Sequence, residues 1–315
     1  MLFNNNNMIY SGSWNSQFLK EGFGISIDKV GNKYTGYWKN DTFDGHGRII
    51  SVNGDYYEGN WKLGNIEGYG VFYSSSKKLK YEGEFKNNKF NGNGKLFYQH
   101  EKIVYEGNFV EGKKEGKGIM YFNNCEKYEG EFKNDCFWGE GIFIWRKGRK
   151  YSGSWKNNNM DGHGEFFYDY KTKYKGDFKE NKKDGKGIYY YGNSYYTGDW
   201  LNNMPHGEGK IFVDNKNVVN GIFRYGKLIN KEGSPNNKNS KSSEILMEII
   251  EEKETGIKIS SKDTEAEKIG KLKENDKKNL KNVNKNIAAL KNKNKVANPM
   301  DYKFGFLEKV KKIKK

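Results

Sequence analysis

A five-residue pattern that recurs at a nearly constant spacing limits the folds open to this chain. The pattern is Tyr, any residue, Gly, any residue, and then Trp or Phe, and it occurs nine times between Tyr10 and Trp200. Successive tyrosines are 22 to 24 residues apart. A Gly-x-Gly sequence begins 11 residues after each tyrosine, or 12 in the first copy. Recurrence with a fixed period indicates a repeat array, and Val219–Phe223 is a degenerate tenth copy.

The spacing predicts that each repeat is a β-hairpin. Tyr, Gly and the ring at i, i+2 and i+4 lie on one face of an extended strand. A second extended stretch follows each glycine pair, as in Gly187–Tyr191, and polar turn residues such as Lys156–Asp161 separate the strands. Two strands and two turns leave no residues for a helix. The predicted fold class is an all-β repeat array over residues 8–226, an elongated single antiparallel sheet of about nine hairpins, about 85 Å long at ~4.8 Å per strand.

The glycines have a predicted role beside the rings. A large ring needs space above the neighbouring strand, and a residue without Cβ provides it. We expect the rings of one strand to cover the glycines of adjacent strands, so that an aromatic layer replaces a two-layer core. Each repeat then buries its rings only against its neighbours. The opposite strand face is polar and carries Glu58, Glu82, Glu84, Glu106, Glu129 and Glu131.

The composition favours a thin β array over a globular core. Only 34% of residues are apolar, aromatic residues make up 16%, and the mean hydropathy is −1.02. The sequence contains no run of 18 apolar residues and no signal peptide, so we expect a soluble, cytoplasmic protein. The net charge of +16 divides into +7 before Asn230 (34 basic, 27 acidic) and +9 from Asn230 onward (22 basic, 13 acidic).

The residues that could carry chemistry do not form a reactive set. A glycine-rich phosphate cradle must open a helix, and no helical pattern follows any Gly-x-Gly pair. His46 and His163 lie five repeats apart, too far to share a metal ion, and Cys125 and Cys136 have no nearby ligand partner. No nucleophile, base and orienting group occur together. The chain is therefore predicted to be no enzyme and to hold no metal or cofactor.

The repeats resemble those of the MORN (membrane occupation and recognition nexus) family. Tyr81–Asn87 and Tyr128–Asn134, each followed by Gly-x-Gly, are very similar to that repeat. The resemblance implies a rod-like or groove-shaped antiparallel sheet and a scaffolding role at membranes or the cytoskeleton, including the cell cortex and the axoneme. Some relatives carry a catalytic domain, for which residues 230–315 are too short and too polar. The family's phosphoinositide binding maps onto no defined positions here.

The C-terminal part is predicted to be a flexible linker over residues 227–243 and a low-complexity, Lys/Asn-rich tail over 244–315. Three weak amphipathic helical patterns occur in this tail. The first places Ile245, Leu246, Ile249 and Ile250 on one side, the second runs from Leu280 to Leu290, and the third follows Pro299. The alternative to a helix in the third pattern is a frayed basic tail without a target.

Two interaction surfaces are predicted. A sheet with an aromatic face offers a groove for an extended or helical peptide, so the first hypothesis is a scaffold that binds protein partners. The rings predicted to contact the partner are Trp61, Tyr81, Phe85, Tyr105, Phe109, Tyr128, Phe132, Tyr151 and Trp155.

The alternative is an adaptor that attaches to an anionic membrane surface, or to an acidic partner, through the basic C-terminal helix. The residues predicted for that contact are Phe306, Lys309, Val310, Lys311, Lys312, Ile313, Lys314 and Lys315. Specific nucleic-acid binding is less favoured, because the hairpin already explains the aromatic spacing and the central strands carry glutamates. Homo-oligomerisation is left open.

Overall fold

A computed structural model describes residues 2–3, 8–99, 102–122, 125–231, 246–248 and 250. The chain divides into two compact units. The first unit contains the described residues up to Cys136, and the second contains those from Phe137 onward. Both units consist of β-strands joined by short turns, which confirms the predicted all-β class.

The first unit is one open antiparallel sheet in which each strand pairs with the next strand along the chain. Its strands are β1 (Leu2–Phe3), β2 (Ile9–Trp14), β3 (Lys20–Ile27), β4 (Lys33–Lys39), β5 (Thr42–Ile50), β6 (Tyr56–Lys62), β7 (Asn65–Ser74), β8 (Leu79–Lys86), β9 (Lys89–Tyr98), β10 (Lys102–Val110), β11 (Lys113–Tyr121) and β12 (Lys127–Lys133).

The second unit repeats this pairing. Its strands are β13 (Cys136–Ile144), β14 (Lys150–Lys156), β15 (Asn159–Phe167), β16 (Thr172–Lys179), β17 (Lys182–Tyr191), β18 (Ser194–Leu201), β19 (Met204–Val213), β20 (Lys216–Arg224) and β21 (Lys227–Lys231). A 3-10 turn, Arg146–Gly148, joins β13 to β14.

Strand β21 occupies the first five residues of the segment predicted to be a linker. Lys227 pairs with Arg224 and Lys231 with Gly221, so the sheet continues past residue 226. The rest of the predicted linker, 232–243, lies outside the described residues, as do the second and third helical patterns of the tail. Leu246–Glu248 and Ile250 are helical, as the first pattern predicts, and Leu246 and Ile250 are buried.

The register places glycine opposite glycine on neighbouring strands. Gly83 of β8 faces Gly70 of β7 on one side and Gly94 of β9 on the other. A Cβ placed on Gly83 would lie 2.6 Å from the Cα of Gly94 and 2.6 Å from the hydroxyl of Tyr81. No side chain fits between these groups, because real Cβ atoms do not approach so closely. A Cβ placed on Gly94 would lie 2.5 Å from ring carbons of Tyr81 on the adjacent strand, so the prediction that rings cover glycines of adjacent strands is confirmed.

The aromatic residues of the repeat form the core of each unit. Tyr81 contacts Phe85 of its own strand edge-on at a centroid distance of 5.1 Å and Phe109 of the next repeat at 5.3 Å. Its hydroxyl donates a hydrogen bond to the backbone carbonyl of Glu84 at 2.9 Å. Burial raises the pKa of the Tyr81 phenol above its ordinary value. The ring therefore stays neutral and bridges two repeats.

Neighbouring hairpins are also tied together by a turn residue. The hairpin β8–β9 turns at Asn87 and Asn88, both with positive φ, as a type I′ turn requires. The Asn88 side chain accepts a hydrogen bond from the Ile66 N–H at 2.8 Å, and the Asn88 N–H donates to the Ile66 carbonyl at 3.1 Å. Lys114 and Asp135 repeat this reciprocal pair. The turn of one hairpin thus fixes the strand of the hairpin before it.

One core position accepts either a ring or a lysine. Phe90 stacks on Tyr81 at 3.8 Å, and Phe43 stacks on Tyr34 in the same way at 3.7 Å. At the equivalent place Lys183 is 1% exposed, and its ammonium lies 4.8 Å from the ring centroid of Trp200. The lysine stem supplies the apolar contact, while the ammonium is attracted to the surrounding rings. The repeat pattern gave no sign of this exchange.

Candidate protein-binding surface

The nine rings predicted to contact a partner lie in the core. Each of them is at most 5% exposed. The Tyr105 hydroxyl donates to the Asn108 carbonyl at 3.0 Å, and the Trp155 indole donates to the Gly141 carbonyl at 3.1 Å, so their polar atoms are bonded as well. A partner on the folded sheet cannot reach them. Their assignment to a partner surface is therefore corrected: Trp61, Tyr81, Phe85, Tyr105, Phe109, Tyr128, Phe132, Tyr151 and Trp155 hold the repeats together.

The accessible face is the one whose side chains alternate with the Tyr, Gly and ring positions. We call it the outer face. On β3 it carries Phe23 and Ile25, and on β4 it carries Thr35 and Tyr37. The strand pleat directs these residues away from the buried rings. The predicted glutamates also lie on this face, and none of them is buried.

The first hairpins of the first unit expose an apolar patch on the outer face. We define the patch as Phe23, Ile25, Ile27, Tyr37 and Ile50. Their exposed fractions are 53%, 36%, 37%, 51% and 36%. Phe23 lies directly opposite Tyr37, and their rings meet edge-on at a centroid distance of 5.7 Å. Clusters of exposed rings and aliphatic side chains mark interaction sites more often than isolated ones do.

Compensated charges occupy the outer face further along the first unit. Lys95 lies between Glu82 and Glu106 in the register, and its ammonium is 2.8 Å from the Glu106 carboxylate. The hydrogen bond that Lys95 donates to Glu106, and the charge of that carboxylate, raise the pKa of Lys95. Arg48 and Glu58 form a looser pair at 3.8 Å. This part of the face presents little net charge, so the apolar patch is its more distinctive feature.

The outer face of the second unit contains a shallow depression of about 320 Å³. Gly176, Gly187 and Gly198 form its floor, and Ile188 and Thr197 line it. Its basic side chains all have acidic partners, namely Lys175 with Glu165 at 3.1 Å, Lys186 with Asp199 at 3.1 Å and His163 with Asp177 at 3.1 Å. Such pairs leave no uncompensated charge to attract a small anion.

The other residues considered for chemistry lie apart. His46 and His163 are exposed on the outer face, in different units. Cys125 is exposed, and Cys136 begins β13. Within the part of the chain that the structure describes, no three His, Cys, Asp or Glu side chains could hold a metal ion. No helix among the same residues is long and apolar enough to cross a membrane.

The residues predicted to contact an anionic membrane lie outside the described residues. They are Phe306, Lys309, Val310, Lys311, Lys312, Ile313, Lys314 and Lys315. Their assignment stays a prediction.

The sequence pattern missed the apolar patch, although a signal for it was present. At the positions of Phe23 and Ile25, several other repeats carry charged or polar residues such as Glu140 and Lys210. A comparison of the variable positions between repeats would have found it. The invariant positions of the repeat lie in the core instead.

Comparisons with known proteins agree with the repeat pattern. A family model described as MORN repeat matches eight segments that cover 166 of the 315 residues. The segments are 34–56, 57–77, 81–99, 105–124, 128–148, 151–170, 174–194 and 196–216. No curated protein matches the chain.

Some solved structures also match, at low similarity. A selenomethionine-substituted virginiamycin B lyase from Staphylococcus aureus is 13% identical over 66% of this chain and 75% of that chain, with a TM-score of 0.15. A catalytically inactive virginiamycin B lyase from the same organism, with quinupristin, is 10% identical over 69% and 74%, with a TM-score of 0.14. At these TM-scores the matches carry no argument about fold or activity.

Proposed function

Since the chain belongs to the MORN repeat family, we propose that it is a non-catalytic scaffold that holds a protein partner on the outer face of its sheet. The apolar patch on the first unit carries this proposal. It exposes two rings and three isoleucines, and the positions of Phe23 and Tyr37 are charged or polar in most other repeats. Aromatic residues that become buried in an interface supply much of its binding energy.

The size and shape of the patch suit the apolar side of a peptide. Complete burial of one such side chain contributes about 1.5–3 kcal/mol, and less when the side chain is already half-buried. Lys33 lies between Ile27 and Ile50 in the register, and Arg48 lies opposite Thr35. A helix with one apolar face, or an extended strand with alternating apolar residues, would fit on the apolar side chains beside these cations. As in other MORN repeat proteins, a location at the membrane or the cytoskeleton is expected, and we propose the cell cortex or the axoneme.

The test replaces the central pair of the patch by a pair that the fold already accepts. The double variant Phe23→Lys/Tyr37→Glu reproduces the cross-strand pair Lys117 and Glu131 of a later hairpin. Proximity labelling in the native cell should lose a defined set of neighbours in this variant. Its control, Lys117→Gln/Glu131→Gln, should keep them.

Circular dichroism should show both variants to be folded. The same neighbours with the patch variant as with the unaltered chain would show that the patch holds no partner.

A further inference from the structure

The second unit carries a continuous row of lysines and rings on its outer face. We call it the cation–ring row. Its members lie opposite one another on six successive strands, β14 to β19. They are Lys150, Phe167, Lys173, Tyr190, Tyr195 and Phe212. At ~4.8 Å per strand the row extends over about 24 Å.

The rings of this row hold its lysines in place. The Lys173 ammonium lies 5.6 Å from the ring centroid of Phe167 and 5.1 Å from that of Tyr190. The Lys150 ammonium lies 5.7 Å from the ring centroid of Phe167. Cations held over rings lose less freedom when they bind an anion than free lysines do. The row is therefore partly organised for binding.

Its lysines differ from other outer-face lysines on the same strands. Lys175, two residues from Lys173, and Lys186, four residues from Tyr190, each form an ion pair with a carboxylate. Among the described residues, neither Lys150 nor Lys173 forms one. The nearby Asp169 carboxylate accepts the N–H groups of Lys171 and Thr172 at 2.9 and 2.8 Å and so fixes the β15–β16 turn.

The turns beside the row add further positive charge. Lys147 and Arg149 are exposed in the β13–β14 connection, and Lys171 is exposed in the β15–β16 turn. Residues 137–231 contain 17 basic and 10 acidic residues, a balance of +7, whereas residues 1–136 contain 18 and 17, a balance of +1. The charge excess of the array belongs to the second unit, and Lys147, Arg149 and Lys171 place part of it at this end of the strands.

We propose that the cation–ring row binds an acidic protein segment, rich in Asp and Glu and extended across the strands. The proposal rests on the scaffold function but concerns a second surface, on the other unit. Charge complementarity selects an anionic partner. A row of about 24 Å matches seven or eight extended residues at ~3.3 Å each. The Tyr190 and Tyr195 hydroxyls, which follow Lys173 in the row, supply further donors for carboxylates.

The geometry of the rings favours a peptide over a single-stranded nucleic acid. Tyr195 and Phe212 stack face to face at 4.5 Å, and the lysines lie over the faces of Phe167 and Tyr190. Nucleobases need open ring faces on which to stack. Each of these rings already has a stacked ring or an ammonium group over one face, which favours contact through ring edges, hydroxyls and ammonium groups.

The test measures binding of a fluorescent, photo-cross-linkable oligoglutamate octapeptide to the full chain by anisotropy. The variant Lys150→Gln/Lys173→Gln should weaken the affinity about tenfold. The matched control Lys175→Gln/Lys186→Gln removes the same charge from the same unit and should change the affinity less than about twofold. Cross-links should map to β14–β19 and their turns.

Other outcomes would overturn the proposal. These are equal loss in the two variants, cross-links confined to the lysine-rich tail, or tighter binding of an oligouridylate or of phosphatidylserine vesicles that depends on Lys150 and Lys173. The patch variant Phe23→Lys/Tyr37→Glu should bind the octapeptide normally. Failure of the acidic-segment proposal and failure of the scaffold proposal are therefore separate results.

Discussion

The first hairpins of the first unit and the hairpins of the second unit share their core but not their outer face. Gly24 faces Gly36 in the first unit, just as Gly187 faces Gly198 in the second. One residue away, the first unit pairs Phe23 with Tyr37, whereas the second unit pairs Lys186 with Asp199. The same hairpin thus presents two rings in one place and an ion pair in the other.

This difference separates the positions that make the fold from the positions available for recognition. The residues at the Tyr, Gly and ring positions contact neighbouring repeats, so these positions tolerate little variation. The outer-face positions contact solvent, and the sheet forms whether they are apolar or charged. Binding specificity in such an array therefore lies in the residues that the repeat pattern leaves variable.

The largest expected effect comes from ionising the buried tyrosines. Burial raises the pKa values of Tyr34, Tyr57, Tyr105, Tyr151 and Tyr196 above 10.0, as it does for Tyr81. Above pH 10 the unfolded chain releases these protons and the folded chain retains them, so stability is full below pH 10 and falls as pH rises. Each tyrosine contributes a slope of up to about 1.4 kcal/mol per pH unit.

Circular dichroism between pH 8 and pH 12 measures this loss of the sheet. Tyr81→Phe, which cannot ionise, should reduce the slope. A sheet that stays folded at pH 12 would mean that the rings are not buried as described.

Removal of single rings tests the two faces directly. Tyr105→Ala should cost about 3–5 kcal/mol, because this ring is 0% exposed and fills space between repeats. Tyr37→Ala on the outer face should cost about 0.5 kcal/mol or less. Urea denaturation of the two variants compares them, and equal midpoints would contradict the distinction between core and outer face.

Substitutions that break the bonds between a turn and the preceding hairpin should have an intermediate effect on stability. Asp135 accepts the Lys114 N–H at 2.9 Å and lies 3.4 Å from the Lys114 ammonium, which is largely buried. Asp135→Ala removes both contacts and should cost about 3 kcal/mol. Asp135→Asn keeps the backbone bond, as Asn158 does in the second unit, and should cost about 1 kcal/mol. Thermal denaturation would rank the variants; equal losses would show that the charge has no part in the tie.

The smallest expected effect concerns the exposed ion pairs. Lys95 and Glu106 are both more than 40% exposed, and pairs of this kind contribute about 0.2–1 kcal/mol. Glu106→Gln should therefore shift the urea midpoint by an amount near the measurement error, and salt should abolish the difference. A loss as large as that of Tyr105→Ala would show that the outer face also supports the fold.

The repeat pattern predicted the fold because its spacing has a local meaning. Tyr, Gly and Trp two residues apart must share a strand face, and paired glycines make room for rings. The hairpins, the register and the glycine contacts follow from this. Strand β21 could not be predicted in the same way, since Lys227–Lys231 carries no Tyr-x-Gly pattern and forms a strand by pairing with β20.

The binding surface could not be predicted from the same pattern. Alternation shows that Tyr128 and Glu129 point to opposite faces, but not which face neighbouring repeats cover. Phe109, for example, is 0% exposed because its own strand and those beside it surround it. That burial depends on several repeats together, and the sequence of a single repeat does not show it. The exposed rings Phe23 and Tyr37 are found only when repeats are compared with each other.

The turn residue that ties each hairpin to its predecessor gives the array a direction of growth on the ribosome. Strand β7 receives its bonds from Asn88 only after the next hairpin has been synthesised. A nascent chain therefore always carries one unsecured hairpin at its newest end, while the hairpins already made are locked in sequence. Folding of such a protein can keep pace with translation, one repeat behind the last residues to emerge.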